Sequence, residues 1–375
     1  MPNQPVDVND DNKRRPEIGL ALSGGGFRAT LFHVGALRRL VELGVLTKVD
    51  RISSVSGGSI VSGRLAQVWT RFAADPSVAA YDALIAEPLR AFCRLNIDTK
   101  AGIGGALDPF RTAADKLEAA YQEHIVSLRL DELPDAPVFV FNSTNMESGR
   151  SFRFTKDYLA DWRVGVLRNP RLPVARAVAA SSAFPPVFSP VVLDRPGVFE
   201  MVRGADLNGN PAYTQRVNLA DGGVYDNLGL ETVGKRCETV LVSDAGAPFT
   251  VDADTSDAWV RQTIRVLDVT TDQARALRKR WLVSDFQAGR VQGTYWGIDT
   301  DIASYQIADA LPCRPALVAE LAAMRTRLNP FNDTEQGQLI NWGYALTDAA
   351  IRRWAPQLVV HAVPAAWPEP THALG

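Results

Sequence analysis

From Glu17 the chain reads EIGLALSG, a run apolar on both faces that stops at three glycines. Such a run predicts a strand buried inside a parallel sheet. The period then changes. In RATLFHVGALRRLVELG, from Arg28, Leu31, Val34, Leu37 and Val41 keep helical spacing, as do Ala36, Leu40 and Leu43. Arg38, Arg39 and Glu42 share the opposite face, and Gly44 supplies a stop. VDRISSVS, from Val49, predicts a second strand, and GGSIVSGRLAQVWTRFAA a second helix. A β-α-β-α opening implies a three-layer α/β/α fold on a mainly parallel central sheet with right-handed crossovers.

Farther along, residues 81–130 are helical but irregular and include the flexible AGIGGALDPF. A segment placed there can cap a site, so about 80–130 is expected to act as a lid. APVFVFNSTNMESGRSFRFT, from Ala136, predicts strand, turn and strand; RVNLADGG, from Arg216, and TVLVSDAG, from Thr239, predict two more strands. The remainder to about Ala355 reads as mostly helical. The expected organisation is a disordered tail over 1–16, a core over 17–245, and a C-terminal helical extension over 246–375 packed on that core.

The 375 residues carry a net charge of −2, so no global field favours a polyanion and nucleic acid is not an expected partner. Cys93, Cys237 and Cys313 lie far apart, form no C-x-x-C pair and are odd in number. They read as core cysteines of a reducing compartment, and the expected setting is cytoplasmic. The first residues contain no apolar signal core, and no run approaches the roughly 18 residues that cross a bilayer.

Three stretches can carry chemistry. SGGGFRA, residues 23–29, sits between a strand and a helix, where backbone N–H groups converge on an anion. That anion is either a phosphate or the oxyanion of a tetrahedral intermediate. Gly24-x-Gly26-x-x-Ala29 formally matches a dinucleotide fingerprint, but the acid that follows, Asp50, precedes its strand instead of ending it. SVSGG, residues 54–58, has the form of a nucleophile elbow with serine in place of its first glycine. Ser54 and Gly58 are small enough for the turn; alone, the stretch reads equally as an elbow at Ser56 or a small-residue turn. In LADGGVYDNLG, from Leu219, Asp221 ends a strand and two glycines clear space around it. Taken alone it is a turn aspartate, and Asp226 is a helix cap. Of the four histidines, His33, His124, His361 and His372, none has a motif around it; His361 would satisfy the order Ser…Asp…His, in a segment that reads as a C-terminal strand, and His372 lies in the tail.

ALSGGGFRATLFHVGALRRL, SSVSGGS and LADGGVYDNLG, in that order, together resemble the patatin-like phospholipases. ARAVAASSAFPPVFSP, residues 175–190, is similar to a fourth block of that family, and the first two motifs are also similar to those of the cytosolic phospholipases A. The match covers roughly residues 18–244. It implies a patatin-like fold and a lipid acyl hydrolase with Ser56 as nucleophile and Asp221 as its base. Gly24, Gly25 and Gly26 would form the oxyanion hole. Arg28 would hold the loop or a phosphate, with Gly57 and Gly58 in support. It implies no metal and no cofactor, a lipid or phospholipid substrate, and transient contact with a membrane surface. Ser54 and Ala29 depart from the family pattern, where glycine is usual. An inactive lipid-binding protein of the same fold and a nucleotide-binding oxidoreductase are the alternatives. RALRKRW, residues 275–281, reads as a solvated basic face or an anionic-headgroup contact, and INWGYALTDAAIRRW, from Ile340, as a packed amphipathic helix.

Overall fold

The computed structural model describes residues 14–98, 112–185, 187–188 and 190–375; AGIGGALDPF, in the expected lid, lies outside them. Ten strands form one sheet: β1 (Arg15–Leu22), β2 (Arg51–Ser54), β3 (Val138–Asn145), β4 (Arg150–Phe154), β5 (Tyr158–Asp161), β6 (Gly165–Arg168), β7 (Val191–Asp194), β8 (Arg216–Asp221), β9 (Cys237–Asp244) and β10 (Gln292–Gly297). The longer helices are α1 (Gly26–Glu42), α2 (Gly57–Ala74), α3 (Ala113–His124), α4 (Val174–Ser182), α5 (Trp259–Gln287), α6 (Pro315–Ala323) and α7 (Asp333–Trp354).

The parallel body of the sheet runs β10-β9-β1-β2-β3. An antiparallel meander, β4-β5-β6, continues from β3. Alternation within the parallel strands separates two cores. Leu20, Leu22 and Leu241 face the larger one, under α1, α2 and α7; Ala21, Val240 and Val242 face a smaller one, with Leu228, Val233 and Leu282 of α5. The expected three-layer α/β architecture is therefore present.

The chain departs from its pattern in four places. β1 starts at Arg15, inside the expected tail, because Arg14 is tied to Asp285 at 2.8 Å and the Arg15 N–H to the Arg236 carbonyl at 2.6 Å; neither bond leaves a trace in hydropathy. The region after 245 contributes β10 to the sheet, parallel to β9. Arg39, expected on the solvent face of α1, is fully buried, because α7 packs there and sets Asp348 at 2.7 Å from its guanidinium. No strand forms around His361, which is exposed in irregular chain.

Candidate active site

Register brings three strand ends to one level: Leu22 of β1 pairs with Ser54 of β2 and with Ser243 of β9. The glycine loop, Ser56 and residues 245–246 therefore leave the same carboxyl edge, where open α/β sheets build sites. β3 extends beyond its partner: Phe141 lies beside Ser54, and only the overhanging end pairs with β8, Ser143 opposite Asp221. β8 runs antiparallel and descends to the edge. Asp221 thus approaches the site from above, which the expectation of one more strand ending at that edge does not convey.

Ser56 has φ 50° and ψ −117°, a left-handed conformation costly for a residue with a Cβ. Close packing maintains it. A Cβ on Gly57 would fall 2.2 Å from the Gly26 carbonyl oxygen, and one on Gly58 2.4 Å from that of Leu22. Ser54 does fit at the elbow's first small position, where its Oγ accepts a hydrogen bond from the Ser59 hydroxyl at 3.0 Å. The end of α4 sets the spacing across the site. The Ser181 carbonyl accepts from the N–H groups of Ser56 at 3.1 Å and Gly222 at 3.3 Å, and the Ala183 carbonyl from that of Asp221 at 3.0 Å. The Ser181 Oγ also accepts the Ser56 N–H, at 3.0 Å. Ser181 is a site residue the sequence did not single out. Its signal was the run of small residues in VAASSA, required where a helix end abuts two tight turns.

Gly25 and Gly26 have φ 139° and 55°, and added Cβ atoms would strike the backbone of Ala245 and Thr326. Among the described residues their N–H groups have no hydrogen-bond partner. Gly24 differs from the expectation: its N–H donates to the Asn227 carbonyl at 3.0 Å and is spent on the fold, and the missing side chain makes room for Asn227 and Ser56. Ala29 is fully buried, with its methyl against Gly25 and Gly57. Arg28 does not face the cavity as a phosphate ligand. Its buried guanidinium donates to the carbonyls of Ala245, Ala322 and Met324 at 2.7–3.2 Å. Two of these lie at the carboxyl end of α6, where helix carbonyls are unsatisfied and the dipole is negative. Burial lowers its pKa to about 10.

Asp221 is 2% exposed and Ser56 8%. Burial raises the Asp221 carboxyl to about 7, opposed by the Gly223 N–H, 2.6 Å away, and by the polar side chain of Ser56. No histidine shares the spot. His33 is buried beneath the glycine loop, its Nε2 3.0 Å from the Ser23 carbonyl and its Nδ1 2.9 Å from the Ser243 hydroxyl. Since a carbonyl only accepts, Nε2 carries the proton and Ser243 donates to Nδ1. Asp50 lies at the far end of β2, accepting the Ile18 N–H at 2.7 Å, so it is not placed where a dinucleotide ribose would need an acid.

Gly25, Gly26, Ser56 and Asp221 line one cavity of about 360 Å³. Its outer wall is the polar face of α5, with Arg265, Asp268, Asp272 and Arg275. The basic run 275–281 is thus not a uniform solvated face. Arg275 is buried and donates to Asp244 at 2.8 Å, and Arg278 lies 3.3 Å from Asp226. Asp226 is not the N-cap of the short helix Glu231–Gly234, a position held by Leu230, but from the end of the preceding turn its carboxylate accepts the Glu231 N–H at 2.9 Å. Asp244 is held ionised, below the usual carboxylate range despite burial, by Arg275 and the Tyr295 hydroxyl. Among the described residues no group of three potential metal ligands occurs, and no helix is long and apolar enough to cross a membrane.

The sequence profile of a family described as patatin-like phospholipase matches residues 20–233. No curated protein matches the chain. Among solved structures it is similar to human GIVD cytosolic phospholipase A2, at 13% identity and TM-score 0.49, covering 89% of this chain and 58% of that one. The same protein in complex with methyl gamma-linolenyl fluorophosphonate inhibitor and terbium chloride gives 15% identity and TM-score 0.48, covering 89% and 57%. VipD from Legionella pneumophila gives 13% identity and TM-score 0.38, covering 89% and 66%. In each case the chain spans less than two thirds of the other's length.

Proposed function

The chain belongs to the patatin-like phospholipase family, a family of lipid acyl hydrolases, and from that premise we propose that it cleaves lipid carboxylic esters with a Ser56–Asp221 dyad. Asp221, ionised, takes the proton of the Ser56 hydroxyl as Oγ attacks the ester carbonyl. The N–H groups of Gly25 and Gly26 receive the oxyanion, at the amino terminus of α1. The alcohol leaves with the proton from Asp221. Water, deprotonated by the same carboxylate, then attacks the acyl-enzyme; the fatty acid departs and Ser56 regains its hydrogen. Asp221 acts without a histidine because burial lifts it toward neutrality, where a carboxylate becomes a competent base. The observation that carries this reading is Ser56, on a strained turn, and the buried carboxyl of Asp221 lining one cavity with Gly25 and Gly26, whose N–H groups have no partner among the described residues.

The test is a fluorophosphonate probe, read by intact mass and peptide mapping. Ser56 Oγ forms the bond to phosphorus, fluoride leaves, and Asp221 takes the proton. One label on Ser56 is expected in the wild type and none in Ser56→Ala. Asp221→Asn should label more slowly by about 10²-fold or more. A folded wild type that never labels would mean a non-catalytic member of the family. No step uses a metal, so EDTA should leave ester turnover unchanged. The setting we propose is cytoplasmic, with transient contact at a lipid surface; co-sedimentation with phosphatidylcholine vesicles checks that contact.

A further inference from the structure

A second cavity, of about 580 Å³, adjoins the first and falls within the roughly 300–1,000 Å³ range of small-ligand sites. All its lining residues come after 245, outside the segment that matches the family. Val318, Ala319, Ala322 and Ala323 supply one face of α6, and Trp342 of α7 closes another side. Trp342 is fully buried and its indole N–H already donates to the Ile298 carbonyl at 2.8 Å, so it offers the cavity only its ring. Residues 248–250 line both cavities. Phe249, at that shared wall, is 37% exposed; Arg265, from the wall of the first cavity, packs over its ring at 4.2 Å.

On the hydrolase reading above, we propose that this second cavity holds the acyl chain of the ester cleaved at Ser56, admitted past Phe249. Two features select that occupant. The three alanines, at spacings of three and four, leave a trough along α6 that offers carbon contacts and no polar side chain of that helix, which suits an aliphatic chain. The charged lining residues are Asp299 and Asp301, with no Lys or Arg among them. A phosphate headgroup or a free carboxylate would meet like charge there, whereas a neutral tail anchored by its ester at Ser56 would not.

The experiment uses the full chain and two alkyl fluorophosphonates, with four and twelve carbons. At about 4-fold per buried methylene, seating even four methylenes favours the longer probe on the order of 100-fold in labelling rate. Ala319→Trp, which fills the trough, should cut that long-to-short ratio at least tenfold. Cys313→Trp fills the cavity from another wall and should do the same, so a folding failure in one variant leaves the other to decide. A twelve-carbon probe carrying a terminal diazirine supplies a direct readout. After attachment to Ser56, irradiation should cross-link it to the peptide containing residues 315–323. Label on Ser56 with cross-links only elsewhere, or an unchanged chain-length ratio in a folded variant, overturns the compartment and leaves the hydrolase reading intact. No label on Ser56 in folded wild type removes both.

Discussion

Asp221 and His33 are buried with opposite consequences for pH. Asp221 holds its proton up to about pH 7 in the folded chain and releases it near 3.8 when unfolded. Between those values the folded state binds the extra proton, so this group's contribution to stability falls as pH rises, by on the order of 4 kcal/mol in full. His33 is lowered to about 4 from 6.5 by burial. Its contribution is complete above 6.5 and is lost as pH falls toward 4. In the wild type the two trends oppose each other across the acid range. Asp221→Asn removes the first, so the variant should be more stable than the wild type at pH 8. Its melting temperature should then fall more steeply between pH 7 and 4; thermal scans at several pH values check both. For the wild type, kcat/KM should climb with pH to a plateau with an apparent pKa near 7, since only ionised Asp221 accepts the serine proton. A flat profile from pH 5 to 9 would remove Asp221 as the base. At this scale Ser56 and Asp221 stood out only through the order of motifs shared with a family, since each stretch alone reads as well or better as a small-residue turn. The spent N–H of Gly24 and the inward target of Arg28 were not legible, because a backbone partner far along the chain has no local signature.

Among the elements, the first two strands and helices were legible because the hydrophobic period switches from continuous to helical within a few residues. The meander β5 and β6, and β7, are four residues each among turns, too short for alternation to register. β10, six residues with glycine near both ends, is hidden within a region otherwise helical in pattern. What those elements build is an elbow held at close quarters, and its tolerance can be tested. Alanine is the better helix former at position 57 by about 1 kcal/mol. Yet the added Cβ would lie 2.2 Å from a backbone oxygen of the neighbouring helix, which no rotamer change relieves. Gly57→Ala should therefore destabilise by about 3 kcal/mol or more, measured by urea unfolding. Ser181→Ala is gentler. It keeps the carbonyl that joins the Ser56 and Gly222 turns and loses only the Oγ bonds to Ser56, Ser59 and the Asn142 carbonyl. A cost of about 1–2 kcal/mol is expected, together with slower labelling of Ser56, because one of the two acceptors fixing its N–H is gone. A labelling rate equal to wild type would show that the carbonyl alone sets the elbow.

For the whole molecule, the question is whether residues 17–245 stand as a core without the rest. Hydropathy suggests a boundary at 245, since the pattern there turns helical after the last obvious strand. The packing crosses that boundary. α1 and α7 approach backbone to backbone: a Cβ on Gly35 would lie 1.8 Å from the Ile340 carbonyl oxygen, and one on Gly343 1.9 Å from that of Phe32. Beside this crossing, Arg39 is 0% exposed and divides its charge between Asp348 of α7 and Glu42 of its own helix, each 2.7 Å away. Removing α7 would take away Asp348 and uncover the larger core, to which α7 contributes Leu339, Ile340, Trp342 and Leu346. β9 would also lose β10 and become a bare edge, open to pairing with other chains. Arg28 adds a third tie, since two of its acceptors, Ala322 and Met324, lie beyond the boundary. A chain ending at residue 245 is therefore expected to aggregate and to leave Ser56 unlabelled by fluorophosphonate, although every residue of the dyad is present. Arg28→Ala in the full chain strands buried carbonyls without opening the sheet, and should cost about 3–5 kcal/mol while the protein stays folded. If the truncated chain is instead soluble, melts cooperatively and labels at the wild-type rate, the ties across residue 245 are dispensable and the C-terminal region is an accessory to an autonomous core.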